Sequence, residues 1–318
     1  MEGNPENLQA AENRLNEEIG EVNKLKETLA EYGEKILHSI AKDPDSLYVF
    51  APWGSGDVLA IAAHLSYIRK AYPQKKGLYL VCRKNCSDIA DMYDSIDGCI
   101  SVSWEECDCF TLASTVRHAD YGENYILGDL SQVFHKSFPT RLEPFKTAVL
   151  RIPAESEPDP VSESFPAPFN EEEHREWRDV VILAPYAIAY PLLSLSIWAV
   201  IADMMKKKGY RVYTNVYGEE TPVPGTEALR VSIRRAYDLS RYVAGMISYR
   251  SGFSDIMGTI PALGHIVIYP NEISFQRELI TDLYPSGQVR NLLLSDNLYQ
   301  EVSDAADLLF RKPFDETA

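Results

Sequence analysis

Leu47-Tyr48-Val49-Phe50-Ala51-Pro52-Trp53-Gly54-Ser55-Gly56-Asp57-Val58-Leu59 is the stretch on which the fold turns. Its five leading apolar residues have the composition of a strand buried on both faces, as in a parallel sheet. A glycine-rich turn follows, and Val58 to Tyr72 then reads as a helix stopped by Pro73. Gly77-Leu78-Tyr79-Leu80-Val81-Cys82 is a second buried strand. Strand, loop, helix and strand within about 35 residues make a βαβ unit. Further along come a helical Ile89 to Tyr93, a strand Gly98 to Val102, a mixed segment Trp104 to Ala119 and a strand-like Tyr125-Ile126-Leu127.

The same pattern restarts downstream. Val180-Val181-Ile182-Leu183-Ala184 is a buried strand, and Leu193 to Lys208 a helix with a basic last turn closed by Gly209. Tyr210 to Thr214 is a strand, Leu239 to Ala244 a short helix and Gly245 to Tyr249 a strand. The loop Arg250-Ser251-Gly252-Phe253-Ser254-Asp255 leads into a helix ending near Leu263, then a strand His265 to Tyr269. Between the two series, residues 153–176 hold Pro153, Pro158, Pro160, Pro166 and Pro168 among Glu and Ser, a linker by composition. Upstream, 5–42 reads as one long helix, with Leu8, Leu15, Val22 and Leu29 recurring every seven residues. Two readings stand for it: an amphipathic helix packed on its own domain, or a short coiled coil that makes a homodimer, its seam broken at Glu18.

The predicted class is therefore α/β, with two Rossmann-like domains facing a cleft. The boundaries are an N-terminal helix at 1–43, a first domain at 44–152, a Pro-rich linker at 153–177, a second domain at 178–296 and a last helix at 297–318. Ligands of such sheets bind beyond the carboxyl ends of the strands, and the interdomain cleft is the expected site.

Bulk properties narrow the functions. The formal net charge of −16 argues against a nucleic-acid surface, which needs a basic face. No run of apolar residues is long enough to cross a bilayer, so no transmembrane segment is predicted. Residues 1–35 are polar, so no secretory leader is expected either. The five cysteines, Cys82, Cys86, Cys99, Cys107 and Cys109, match no zinc spacing and read as reduced thiols in a cytoplasmic protein. No metal site is predicted.

Two loops carry the candidate chemistry. In Gly54-Ser55-Gly56-Asp57, the glycines allow close approach to the backbone and the helix start favours negative charge. Leu59 stands where a dinucleotide fingerprint needs its third glycine, and no Gly-Lys-Ser/Thr follows. Asp57 is either a helix cap or a general base for an acceptor hydroxyl. In the second loop, Arg250, the hydroxyls of Ser251 and Ser254, and the backbone at Gly252 suit a phosphate. The plainer alternative is a tight turn with Gly252 at positive φ and Ser254 as the cap. Glu272, just past the strand end at Pro270-Asn271, suits the hydroxyl pair of a ribose. His64 and His265 read as structural, while His118, Asp129 and His135 are candidates for the cleft.

These motifs resemble the heptosyltransferase-like glycosyltransferases, whose two-domain fold is called GT-B. The resemblance rests on Gly56-Asp57-Val58-Leu59 with Ala71-Tyr72-Pro73, on Ile182-Leu183-Ala184-Pro185, on Lys208 to Val212, on Asp238-Leu239-Ser240, and on Ser251-Gly252 with Ile260-Pro261-Ala262-Leu263-Gly264. It implies that Asp57 is the catalytic base, that Ser251 and Gly252 hold the donor's phosphates, that no metal ion takes part, and that the last helix crosses back to the first domain. The chain departs from the family in carrying Arg250 where an acidic residue is usual, in lacking the histidine after Ser-Gly, and in having no Lys or Arg between Ala184 and Met205. Arg250 then takes over the charge of the family's lysine.

The expected function is transfer of a sugar from a nucleotide-sugar donor to a hydroxyl of a glycan or glycolipid acceptor in polysaccharide synthesis. The expected place is the cytoplasm or the inner membrane face, and no cofactor is needed beyond the donor. The alternatives are a polysaccharide pyruvyl transferase or a sugar-nucleotide epimerase on the same fold, or a non-catalytic GT-B-like binding protein.

Overall fold

The computed structural model describes residues 5–116, 124–128, 142–277, 279–283 and 288–313; His118, Asp129 and His135 lie outside them. Two parallel sheets form, as the apolar runs predict. The first has the order β3-β2-β1-β4, built from β1 (Ser46–Ala51), β2 (Gly77–Arg83), β3 (Gly98–Val102) and β4 (Tyr125–Ile126). The second has the order β10-β9-β8-β5-β6-β7, from β5 (Val180–Ala184), β6 (Arg211–Asn215), β7 (Glu227–Leu229), β8 (Gly245–Tyr249), β9 (Gly264–Tyr269) and β10 (Gln288–Leu293). Every residue of β1, β5, β8 and β9 is buried, because helices cover both faces of a parallel sheet.

The strand orders locate two switch points, where successive connections run off to opposite sides of the sheet. One lies between β1 and β4, the other between β5 and β8. The loops after β1 and after β8, the two read as chemical from the sequence, leave the sheets at these points.

The first half carries α1 (Pro5–Ile40), α2 (Ser55–Ala62), α3 (Leu65–Ala71) and α4 (Trp104–Val116), then a short turn α5 (Leu142–Pro144). One helix was expected from Val58 to Tyr72, but the structure has two. The Asp159 amide donates to the Ala63 carbonyl (2.6 Å), and the Asp159 carboxylate accepts from the Ser66 amide and hydroxyl (3.2 and 2.6 Å). A residue 93 positions beyond Ser66 thus takes the carbonyl that a continuous helix would use and caps the second helix.

That residue belongs to the Pro-rich segment, which is an ordered strap and not a loose linker. Ser162 bonds Met92 and Asp94 in the first half (2.7 and 2.6 Å). Phe165 is buried edge-on to Tyr237, and Ala167 bonds Asp238 and Arg241 in the second half (2.8 and 2.7 Å). The last part of the predicted linker is helical: α6 (Glu171–Trp177) is capped by Asn170, whose Oδ1 accepts from the Glu172 and Glu173 amides.

The second half continues with α7 (Leu195–Lys207), α8 (Ile233–Ser240), α9 (Gly252–Gly258), α10 (Glu272–Arg277), α11 (Ile280–Leu283) and α12 (Leu298–Leu309). Gly209 ends α7 at φ 93°, the left-handed conformation its position predicts. The last helix differs from expectation. Leu298, Val302, Ala305, Ala306 and Phe310 pack in the core of the second half with Ile247, Ile266 and Ile268, so α12 stays on its own domain. Its apolar stripe specified burial, not the sheet that would bury it.

Candidate functional site

The loops after β1 and β8 meet face to face. Gly56, at the start of α2, lies against Gly252, at the start of α9. A Cβ on Gly252 would overlap the Gly56 amide nitrogen and Ser55 Oγ; one on Gly56 would overlap the Asp255 carboxylate. Neither glycine has a positive φ. The positive φ expected at Gly252 is thus corrected: the glycine is needed because another backbone passes through the space a side chain would take.

Behind this contact lies a buried polar knot. Arg250 is fully buried at the end of β8, and its Nη1 is 2.9 Å from Asp255 Oδ1, with 0% and 3% of the two side chains exposed. The same Nη1 donates to the Ser251 carbonyl at 2.8 Å. Read from the sequence as a phosphate ligand, Arg250 here turns inward and serves Asp255. The first turn of α9 is closed by a capping box. Ser251 Oγ accepts from the Ser254 amide (3.3 Å), and Ser254 Oγ accepts from the Ser251 amide (2.9 Å). The cap is therefore Ser251, where the plainer sequence reading had placed Ser254. Ser254 is buried, whereas Ser251 and Gly252 are partly exposed.

Asp57 is half-buried in the first turn of α2. Gly54, not Asp57, is the N-cap. The carboxylate therefore sits in the first turn, where the helix dipole favours its charge. Asp57 and Arg83, at the end of β2, both act on the Cys86 thiol. Burial pushes that thiol up to about 12, Arg83 pulls it down and Asp57 adds to the rise. The Arg83 guanidinium lies 3.4 Å from the centre of the Trp104 ring and 3.8 Å from the Asp108 carboxylate. Glu272 is exposed at the start of α10, on the carboxyl side of β9, the strand beside β8.

The structure thus joins Ser55 and Gly56 with Gly252 and Asp255 in one contact between the halves, with Arg250, Ser251 and Ser254 bonded within the second loop and Asp57 in the first turn of α2. It leaves Glu272 on the neighbouring strand end. Sequence reading missed Asp255, although it lies in the quoted loop: an acid in the first turn of a helix is common, and its type alone does not mark it as the partner of Arg250. Both histidines taken as structural are buried. His64 Nδ1 lies 2.7 Å from the Ala60 carbonyl, and His265 Nε2 lies 2.8 Å from Ser248 Oγ.

The chain has the GT-B fold of solved heptosyltransferases. The E. coli ADP-heptose LPS heptosyltransferase II structure superposes with a TM-score of 0.57 at 13% identity, covering 83% of this chain and 98% of that one. A family 9 glycosyl transferase from Veillonella parvula DSM 2008 gives 0.54 at 11%, covering 84% and 97%. The E. coli heptosyltransferase WaaC with ADP gives 0.53 at 12%, covering 83% and 98%. No family model matches the chain, and no curated protein matches its sequence. Among the described residues, no helix is long and apolar enough to cross a membrane, and no group of three or more His, Cys, Asp or Glu could hold a metal ion.

Proposed function

We propose that the protein transfers a sugar from a nucleotide-sugar donor to a hydroxyl of a glycan or glycolipid acceptor, without a metal ion. The observation that supports this most is the position of Asp57. Its carboxylate is half-exposed in the first turn of the helix that meets the second domain's loop, at the switch point of the first sheet. There it can accept the proton of an acceptor hydroxyl. Ser251 and Gly252, partly exposed beside the contact, offer a hydroxyl and a partly exposed backbone to the donor's phosphates, and Glu272 offers a carboxylate to its ribose. One of the similar solved structures contains ADP, which puts ADP first among the nucleotides to test.

A thermal-shift panel of ADP, UDP, GDP and CMP with their sugars tests the donor site. A ligand at 100 times its Kd adds about 2.7 kcal/mol to the folded state. One nucleotide standing out supports the reading, and no shift with any of them removes it.

One observation favours a second reading, a non-catalytic GT-B-like binding protein. The Arg250 guanidinium is spent on Asp255, and the two loops are already in contact. On that reading no nucleotide binds, and Asp57→Asn changes nothing but the charge.

A further inference from the structure

The first part of α1 projects away from the cores. Residues 13–28 are exposed at every position, and Leu15, Ile19, Val22 and Leu25 are 56, 48, 51 and 58% exposed. The later part of the same helix is anchored. Ala30, Gly33 and Leu37 are buried, as is Ala41 just past the helix end, with Gly33 against the Cys109 backbone of α4. Five turns of helix are about 18 residues. Leu15 and Ile19 stand that far before Gly33 and Leu37, so the exposed stripe continues the face that packs on α4.

Propensity does not hold this segment helical. It contains Asn13, Asn16, Gly20 and Asn23, and a lone helix in water is marginal even with good formers. Its apolar seam is complete only with something laid along it. Leu15, Val22 and Leu29 repeat at seven residues, and a seam of that period is matched by another helix with the same period.

We propose that this segment pairs with the same segment of a second copy of the chain, as an antiparallel two-helix coiled coil centred near residue 20. The charges give both the occupant and the direction. Residues 13–21 carry Glu17, Glu18 and Glu21 against Arg14; residues 22–28 carry Lys24 and Lys26 against Glu27. An antiparallel pair lays the acidic part of each helix beside the basic part of the other. A parallel pair sets Glu18, at a seam position, against its own copy. In the antiparallel register Leu15 of one copy lies beside Leu25 of the second. This pairing is independent of the chemistry proposed for the cleft.

Sedimentation equilibrium on the full chain tests it. The expected mass is twice the 35.9 kDa of one chain, returning to one chain in Leu15→Asp/Val22→Asp. Both residues are exposed, so the variant's melting temperature should stay within a degree or so of wild type, apart from the dissociation itself. A wild-type chain that is monomeric at every concentration, or a dimer that survives the double substitution, overturns the proposal. The direction is read from Leu15→Cys/Leu25→Cys after copper-catalysed oxidation and proteolysis. A 15-to-25 link between copies supports antiparallel pairing, whereas 15-to-15 and 25-to-25 links overturn it.

Discussion

Replacing Asp255 by leucine should be among the most damaging single changes in the second domain. Arg250 would keep its charge with 0% of its side chain exposed and would lose the carboxylate 2.9 Å away. Removing one partner of a buried ion pair costs about 3–5 kcal/mol, because the remaining charge loses that carboxylate and gains no water in its place. At roughly 2–4 °C per kcal/mol for a unit of this size, the melting temperature should fall by roughly 6–20 °C. The reverse change, Arg250→Met, should cost a comparable amount. The double variant Arg250→Met/Asp255→Leu should recover most of the loss, since apolar side chains of similar volume often replace a buried pair at little cost. Urea unfolding of the four proteins completes the cycle and gives the coupling energy. An Asp255→Leu loss below about 1 kcal/mol would mean that water reaches the pair. A double variant as unstable as the single ones would mean that the site is held by shape, not by charge. Either result refutes a buried Arg250–Asp255 pair held by charge.

Other outcomes follow from the same geometry. Asp57→Asn should lower kcat by about 10²–10⁴-fold if Asp57 is the base; full turnover in a glycosyl-transfer assay would remove it from the chemistry. Gly252→Ala should cost about 1–3 kcal/mol as an overpacking change, because the new methyl meets backbone at Gly56 and Ser55 Oγ; a neutral result in thermal melts would show that the halves part freely there. Phe165→Ala should cost about 3–5 kcal/mol, as the strap loses its buried anchor beside Tyr237; a cost like that of a surface change would show that the strap is not held. Burial pushes His265 down to about 3, against 6.5 for the free side chain. Between those values only the unfolded chain takes up the proton. The stability linked to His265 is therefore complete above pH 6.5 and lost as pH falls toward 3, by up to about 1.4 kcal/mol per unit. Urea midpoints at pH 7 and pH 5 should fall further for wild type than for His265→Gln; equal falls would show that His265 does not carry the effect.

Much of this molecule is legible in its sequence because the decisive signals are local. Runs such as Val180 to Ala184 and Gly245 to Tyr249 specify strands buried on both faces. The turns after them, rich in glycine and serine, specify where strands end and helices start. Gly209 ends its helix by its own backbone freedom. Two parallel sheets and the places of their chemical loops follow from such patterns alone.

What tertiary structure alone decided depends on residues far apart in the chain. The helix expected from Val58 to Tyr72 breaks because Asp159 arrives from the strap to take a carbonyl. The last helix packs on the second sheet, since an amphipathic stripe states that a face will be buried but not against what. Gly56 and Gly252 lie in contact because two helix starts from different halves meet there. A sequence records the reach and charge of each side chain, but the partner that meets it is set by the packing of the whole chain.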